Sequence, residues 1–187
     1  MSAACKNWRP ITLLNTDYKI LTKVLANRLQ TALKGIISPD QTGYIKGRYI
    51  GENIRVIDDI IRYTSIHNIS GYILLLDFEK AFDTVNINFL KKALKAYEFG
   101  PTFSKWVNIL YTDVKSCVTN NGNASSFFPV TRGIRQGCPI SAMLFLLVVE
   151  LMSVYLKTCD DIKGIEIDNE IFVITQLADD TTLFLKR

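Results

Sequence analysis

The sequence predicts an α+β fold in which helices pack on an antiparallel β-sheet. Along the chain, the patterns of apolar residues predict helices, a strand, helices, strands, a helix and finally strands. The last part of the chain carries three short apolar runs separated by turn residues, which is typical of antiparallel strands. Of the 187 residues, 48% are hydrophobic and 21% are charged, so a globular domain with a packed core is expected.

The first predicted elements are two helices joined by a glycine-rich segment. Apolar residues recur at helical spacing from Asp17 to Leu33, and Gly35 is expected to end this helix. Residues 36–51 contain Lys46 and Arg48 among three glycines, so this loop or short strand pair could bring backbone and basic groups close to a ligand. Helical spacing returns from Glu52 to about Tyr63.

A short apolar run follows these helices and ends in an acid. Tyr72–Leu76 predicts a buried strand with Asp77 at its carboxyl end. Asn86 is expected to cap a helix through Tyr97 that stops at Gly100-Pro101, and a second helix is expected to reach Tyr111.

The remaining elements are a hairpin, a long helix and the final strands. Val114–Thr119 and Ser126–Val130 flank a turn of Asn and Gly, which predicts a hairpin. Ser141 is expected to cap a helix to Leu156 that carries Glu150 and is shorter than the roughly 20 residues of a membrane span, so a buried helix is favoured over a membrane segment. The final strands are predicted at Gly164–Ile167, Ile171–Leu177 and Thr181–Leu185, with Ala178-Asp179-Asp180 at the last turn.

The cysteines and the single histidine argue against two kinds of site. The four cysteines are far apart, form no C-x-x-C pair and are accompanied only by His67, so a structural zinc site is not expected and the thiols should be reduced. His67 would be the sole base for a Ser-His-Asp or Cys-His hydrolase, yet it lies in a polar segment typical of a surface loop. No secretory signal follows Met1, so we expect the protein in the nucleus or cytoplasm and not secreted.

Charge is distributed unevenly along the chain. Residues 1–56 carry nine basic and three acidic side chains, a net +6, and residues 57–187 carry thirteen basic and fifteen acidic, a net −2. Such a division suits a protein that grips a polyanion with one part and places carboxylates or metal ions near it with another. By itself, an imbalance of this size is more often a solvated surface.

Two acidic sites carry the chemistry. Asp77 follows one apolar strand, and Asp179-Asp180 separates two others. Adjacent carboxylates repel each other unless protons or cations compensate, and Mg²⁺ prefers such hard oxygen ligands. Two ions about 4 Å apart could activate an attacking hydroxyl and stabilise a leaving oxygen at phosphorus. Taken alone, an Asp-Asp pair more often simply forms a turn.

Five ordered motifs resemble those of reverse transcriptases. Leu75–Asp83, Arg132–Ser141 and Leu177–Thr181 are similar to the three core motifs of that family, in the same order. Asn7–Asn15 and Asp40–Arg48 also match, and they resemble the non-LTR, LINE-type retrotransposon branch more than retroviral enzymes. Group II intron maturases and telomerase-like enzymes share the fold but account less well for Asn7–Asn15. Essentially the whole chain is covered.

The resemblance implies a two-metal nucleotidyl transfer site. Asp77 and Asp179 would be the principal ligands of two Mg²⁺ ions, for which Mn²⁺ could substitute, with Asp180 beside them and the carbonyl of Phe78 completing the shell. The reaction would be attack of a DNA primer 3′-hydroxyl on the α-phosphate of a dNTP, directed by an RNA template.

The same resemblance implies a nucleotide site. Backbone amides around Lys80 and Ala81 would face the triphosphate, and Phe82 would act as a steric gate against the ribose 2′-hydroxyl. Gln136 would touch the nucleotide, with Gly137 allowing close backbone approach. The further candidates are Lys46 and Arg48 for the triphosphate, and Tyr44 and Phe78 for stacking on bases. Two alternatives stay open for Arg9 and Arg132, which could hold template phosphates or only support the fingers.

The expected organisation is a single reverse transcriptase domain fragment over residues 1–187. Residues 1–70 would be mainly fingers, and residues 71–187 mainly palm with a fingers insertion. The chain ends seven residues after Asp180, so the thumb and primer grip are expected to be absent. Two hypotheses stay open: a catalytic core of an RNA-directed DNA polymerase, and a truncated, non-catalytic retroelement remnant that folds and binds nucleic acid. The oligomeric state is not readable from the sequence.

Overall fold

The computed structural model describes residues 12–187 and shows a mixed α+β fold, as the sequence predicts. The helices within this range are α1 (Thr16–Ile36), α2 (Ile50–Ile66), α3 (Ala81–Thr84), α4 (Ile87–Ala96), α5 (Pro101–Tyr111) and α6 (Ser141–Thr158). The strands are β1 (Gly71–Leu76), β2 (Lys115–Ser116), β3 (Thr119–Asn120), β4 (Asn123–Ala124), β5 (Phe128–Pro129), β6 (Ile165–Ile167), β7 (Glu170–Phe172), β8 (Ile174–Leu177) and β9 (Asp180–Lys186).

A three-stranded antiparallel sheet in the order β1-β9-β8 positions the acidic residues. Because side chains alternate across a strand, its two faces carry different apolar sets. On one face Phe184 packs with Ile60 of α2, and on the other Leu183 packs near Leu156 of α6. The sheet is therefore a middle layer between α2 and α6.

The main hydrophobic core lies among α1, α4, α5 and α6. Leu33 of α1, Leu90 of α4, Val107 of α5 and Leu144 of α6 are all fully buried in it. Helix α6 is long and apolar enough to cross a membrane by length and composition alone, but eight of its residues are buried inside the fold. The prediction of a buried core helix is confirmed.

Several predicted local structures are confirmed by specific bonds. The Asn86 side chain accepts a hydrogen bond from the Phe89 amide at 3.1 Å and caps α4. The predicted hairpin forms as two short ladders, β2 with β5 and β3 with β4, and it turns at Asn121 and Gly122, both with positive φ. The last hairpin pairs β8 with β9 around Ala178 and Asp179.

The prediction that Tyr72–Leu76 is buried is wrong. Side chains Tyr72, Ile73, Leu74 and Leu75 are between 41% and 73% exposed. The reason is the place of β1 at one edge of the sheet. The helices form their hydrogen bonds with β8, the strand at the opposite edge: Asn53 of α2 bonds to Thr175, and Ser153 of α6 bonds to Gln176.

Three helix and strand boundaries also differ from prediction. Gly35 does not end α1, which continues to Ile36 and allows Ile37 to be buried. Ser141 is the first residue of α6 and makes no side-chain cap; its hydroxyl lies 3.3 Å from that of Tyr111. The predicted strand Ile171–Leu177 is two strands, β7 and β8, which pair with different partners.

Candidate active site

The end of the three-stranded sheet brings the predicted metal ligands to neighbouring strands. Leu76, the last residue of β1, pairs with Thr181, and Asp180 pairs with Leu177 across the final turn. Asp77 therefore follows β1 at the level where Asp180 begins β9. Asp77 and Asp180 are exposed, and Asp179 is half-buried in the turn. Residues more than a hundred positions apart thus meet at one end of the sheet.

The chemistry of these donors fits a divalent cation, although their side chains do not enclose one. Within residues 12–187, no three His, Cys, Asp or Glu side chains converge closely enough to hold a metal ion. In the same range Asp77, Asp179 and Asp180 take part in no ion pair, so all three carboxylates are available as hard oxygen ligands. The assignment of these residues and of the Phe78 carbonyl as ligands stays a prediction.

The segment after Asp77 is joined to the glycine-rich turn before α6. The Gly133 amide donates to Val85 O at 2.8 Å, and the Ile134 amide donates to Phe82 O at 2.7 Å. A Cβ on Gly133 would lie 2.9 Å from the Asp83 carbonyl oxygen, and its φ is +92°, so glycine is required here on both counts. Two predicted nucleotide-binding segments therefore form one unit.

Within this unit, Gln136 and the backbone near Lys80 have defined surroundings. The Gln136 amide lies 3.3 and 3.4 Å from the two Asp83 carboxylate oxygens, as a weak hydrogen-bonding pair. Lys80 is left-handed, with φ +52°, and its carbonyl accepts from Asp83 and Thr84 at the start of α3. The half-buried Lys80 thus lies at a sharp strand-to-helix transition.

The ring of Phe82 packs against the hydrophobic core of the protein. Its ring stacks on Phe145 of α6 with centroids 4.5 Å apart, and Tyr44 meets it edge-on at 6.3 Å. Both arrangements are favourable for aromatic pairs. Phe78 and Ala81 line a mainly apolar cavity of about 450 Å³, together with Phe145 and other residues of α6.

The two basic residues predicted for the triphosphate differ in their surroundings. Lys46 is exposed and takes part in no salt bridge within residues 12–187. The guanidinium of Arg48 is half-buried and donates to the carbonyls of Ile37, Ser38 and Gln41, so Arg48 also fastens the loop after α1. That Lys46 and Arg48 bind the triphosphate of a nucleotide stays a prediction.

The remaining candidates lie in other parts of the site. Gly137 has φ +90°, a conformation that favours glycine. Tyr44 and Arg132 are exposed. The backbone of Arg132 pairs with that of Asn86 in a single antiparallel β-bridge outside the strands. Arg9 and Asn7 lie outside the described residues.

Arg135 holds the glycine-rich turn against the helices. Its guanidinium donates to the Tyr18 hydroxyl and to Leu110 O, the latter at 2.8 Å, and lies 4.9 and 5.1 Å from the ring centroids of Tyr18 and Tyr111. Burial raises the pKa of Tyr111 to about 12 and raises that of Tyr18 as well, so both hydroxyls stay neutral and act as hydrogen-bonding groups. Gln136 is the next residue in the chain, so the contacts of Arg135 help to fix the position of its backbone.

Sequence reasoning missed three residues that support the site: Gln41, Asp83 and Arg135. All three lie within the quoted motifs, so the motifs themselves were the available signal. Their partners are distant in sequence, however, and only the tertiary structure shows that Gln41 contacts Ala178 and that Asp83 faces Gln136.

Known proteins are similar to this sequence over most of its length. The chain is 40% identical over 145 residues to the Transposon TX1 uncharacterized 149 kDa protein of Xenopus laevis, covering 78% of this chain and 11% of that protein. It is 30% identical over 179 residues to the Retrovirus-related Pol polyprotein from type-2 retrotransposable element R2DM of Drosophila melanogaster, covering 96% of this chain and 16% of that protein. It therefore spans only a small part of these relatives.

Solved structures share the fold. Apo telomerase from Candida tropicalis superposes with a TM-score of 0.59 at 13% identity, over 90% of this chain and 31% of that one. Telomerase from Candida albicans, in complex with a fragment of telomeric RNA, gives a TM-score of 0.56 at 13% identity, over 88% of this chain and 30% of that one. These likenesses show a common architecture.

The family assignment rests on the whole sequence. The model of the family described as "Reverse transcriptase (RNA-dependent DNA polymerase)" matches residues 2–187. Together with the relatives from retrotransposable elements and the shared fold, this match shows that the chain belongs to the reverse transcriptase family.

Proposed function

We propose that this chain forms the fingers and palm core of an RNA-directed DNA polymerase in a retrotransposon. The observation that carries the proposal is the pairing of β1 with β9 and of β9 with β8, which brings Asp77 beside Asp180 in a member of the reverse transcriptase family. The partners of the reaction are an RNA template, a DNA primer and a dNTP. We expect the protein to work in the nucleus or cytoplasm.

Asp77, Asp179 and Asp180, with the carbonyl of Phe78, would hold two Mg²⁺ ions. When bound, these ions supply activation of the primer 3′-hydroxyl and stabilisation of charge on the phosphate and the leaving pyrophosphate. The exposed carboxylates of Asp77 and Asp180 support this role because they are free of ion pairs in the described part of the chain.

The residues around the glycine-rich turn would bind and select the nucleotide. The amides near Lys80 and Ala81 would face the triphosphate, which is supported by the abrupt left-handed turn at Lys80. Phe82, held by Phe145, would exclude a ribose 2′-hydroxyl and favour deoxynucleotides. Gln136 would contact the nucleotide, with Gly137 allowing close approach.

Two basic residues would complete the nucleotide site. Lys46 and Arg48 would neutralise the triphosphate from the loop between α1 and α2. The proximity of this loop to the Phe82 ring, through Tyr44, supports the proposal.

Primer extension tests the proposal directly. On a poly(rA)/oligo(dT) template with Mg²⁺ and dTTP, the wild-type chain should extend the primer, and Asp179→Asn should reduce extension by several orders of magnitude because a charged metal ligand is lost. Folding should be nearly unchanged, since the Asp179 carboxylate makes no hydrogen bond within residues 12–187. Circular dichroism checks the fold of each variant.

A matched control separates site chemistry from surface charge. Asp161→Asn removes one negative charge at an exposed position beyond α6 and should leave extension unchanged. Equal extension by wild type and Asp179→Asn would show that the site is wrongly assigned. Absence of extension from the folded wild-type chain would instead favour the second hypothesis, a non-catalytic retroelement remnant that binds nucleic acid.

A further inference from the structure

The turn that carries Asp179 contains a residue in an unusual backbone conformation. Leu177 and Asp180 are the closing pair of the β8–β9 hairpin, so Ala178 and Asp179 form a two-residue loop. Ala178 has φ +56°, at a loop position where such hairpins favour glycine. An alanine can be kept there only when surrounding contacts fix it.

Those contacts come from one side chain, Gln41. Its Nε2 donates to Ala178 O at 3.0 Å, and its Oε1 accepts from the Ala178 amide at 2.7 Å. Oε1 also accepts from the Gly43 amide at 2.9 Å. The Gln41 side chain thus satisfies both backbone polar groups of Ala178, and the residue is only 1% exposed.

The backbone around Gln41 is held on the edge of β8. The Gln176 amide donates to Asp40 O at 2.8 Å, the Thr42 amide donates to Gln176 O at 2.9 Å, and Gln41 and Gln176 form a parallel bridge. A Cβ on Gly43 would lie 2.4 Å from the Ala178 nitrogen, so the approach of the two segments requires glycine. We call the two hydrogen bonds between the Gln41 side chain and Ala178 the clamp. Because the backbone on both sides of Gln41 is fixed to β8, the clamp is not a chance surface contact.

We infer that Gln41 is a positioning residue for the candidate metal site, because it fixes the left-handed Ala178 and so aims the carboxylates of Asp179 and Asp180. The inference rests on the proposed metal-binding function of these aspartates. Gln41 makes no hydrogen bond to the side chain of Asp179 or Asp180; it acts through the backbone of Ala178, the residue before them.

Manganese binding provides a readout that is independent of polymerase activity. Binding of Mn²⁺ alone is followed by the electron paramagnetic resonance signal of the free ion, for wild type, Gln41→Met and Asp179→Asn. Gln41→Met keeps the length and neutrality of the side chain but removes the clamp, and it should weaken Asp179-dependent binding about 10- to 100-fold, as losses of supporting partners around metal ligands do.

A control and a rescue distinguish positioning from simple loss of stability. Ser153→Ala removes another buried hydrogen bond, to Gln176, without touching Ala178, and should leave Mn²⁺ affinity within about twofold of wild type because the ligands keep their support. Adding Ala178→Gly to Gln41→Met should recover part of the affinity, since glycine adopts the left-handed conformation without a clamp.

Each outcome decides the inference. Unchanged Mn²⁺ affinity in folded Gln41→Met, or equal weakening by Ser153→Ala, would overturn it. A wild-type chain without Asp179-dependent Mn²⁺ binding would overturn the proposed metal site and, with it, this inference. If Gln41→Met does not fold, amide exchange of the wild type decides: the Ala178 amide should be as protected as those of β9, and rapid exchange there would contradict the clamp.

Discussion

Glu150 is a buried acidic residue of α6, and its burial sets the pKa of its carboxyl. It is 3% exposed, and its carboxylate accepts from the Ser38 hydroxyl at 3.4 Å. Loss of solvation raises the pKa of Glu150 above the ordinary 4.5, an effect that Ser38 and Lys157 oppose and Asp40 reinforces. The folded chain therefore favours the neutral carboxyl more than the unfolded chain does.

Replacing this carboxyl should stabilise the protein in a pH-dependent way. Because the folded pKa lies above the unfolded one, the native state loses stability as pH rises from about 4.5 through the folded pKa. Glu150→Gln should consequently raise the free energy of unfolding at pH 7, with the gain disappearing below pH 4.5. Urea unfolding at several pH values measures this.

The exposed acid Glu166 provides the control for that experiment. Glu166→Gln removes the same charge from the surface strand β6 and should show no comparable gain at pH 7. A Glu150→Gln variant that is less stable than wild type at pH 7 would mean that the ionised carboxylate supports the core.

At the scale of elements, α4 shows how a local signal predicts local structure. Asn86 precedes a run of helical spacing, and its side chain bonds to the Phe89 amide as the sequence predicts. Asn86→Ala should lower the free energy of unfolding by about 1 kcal/mol, because one amide of the first turn loses its partner. Denaturant unfolding measures the change.

The exposed neighbour Asn88 serves as the comparison for this cap. Asn88→Ala lies inside the same helix and should be neutral or slightly stabilising, since alanine has the higher helix propensity. Equal destabilisation by the two substitutions would argue against a specific capping bond.

Local patterns predicted the element types, but they could not predict how the elements are covered. The run Tyr72–Leu76 forms the expected strand, yet its exposure depends on its place at the sheet edge, which no periodicity encodes. Similarly, Gly35 has the residue type of a helix stop, but burial of Ile37 beyond it favours continuation of α1.

The candidate site likewise contains residues that the sequence motifs indicated and a residue whose role they could not indicate. The order of motifs indicated Asp77, Asp179 and Asp180, and the pairing of their strands places them at one end of the sheet, while their role as metal ligands stays a prediction. The role of Gln41 could not be predicted, because its contact with Ala178 spans 137 positions of the chain.

At the scale of the whole molecule, the main hydrophobic core of the described residues extends across the expected boundary near residue 70. Leu29 and Leu33 of α1 belong to the same buried cluster as Leu144 and Leu147 of α6. The buried hydrogen bonds of Asn53 likewise join α2 to β8. The two expected portions are thus energetically dependent on each other.

This shared core predicts one cooperative unfolding transition. Far-ultraviolet circular dichroism and tryptophan fluorescence should give the same midpoint in urea, because loss of either portion exposes the common core. Two separate midpoints would show instead that the portions before and after residue 70 unfold independently.

The contact between Gln41 and Ala178 also has a consequence for how the chain folds. A contact between residues 137 positions apart requires closure of a very long loop, which is slow and costly in entropy. During synthesis, residues 40–43 leave the ribosome long before β8 and β9 exist, and the amide of Gln41 stays hydrated meanwhile. We therefore expect the aspartate turn to reach its final shape only after residues 41 and 178 have both been synthesised and brought together.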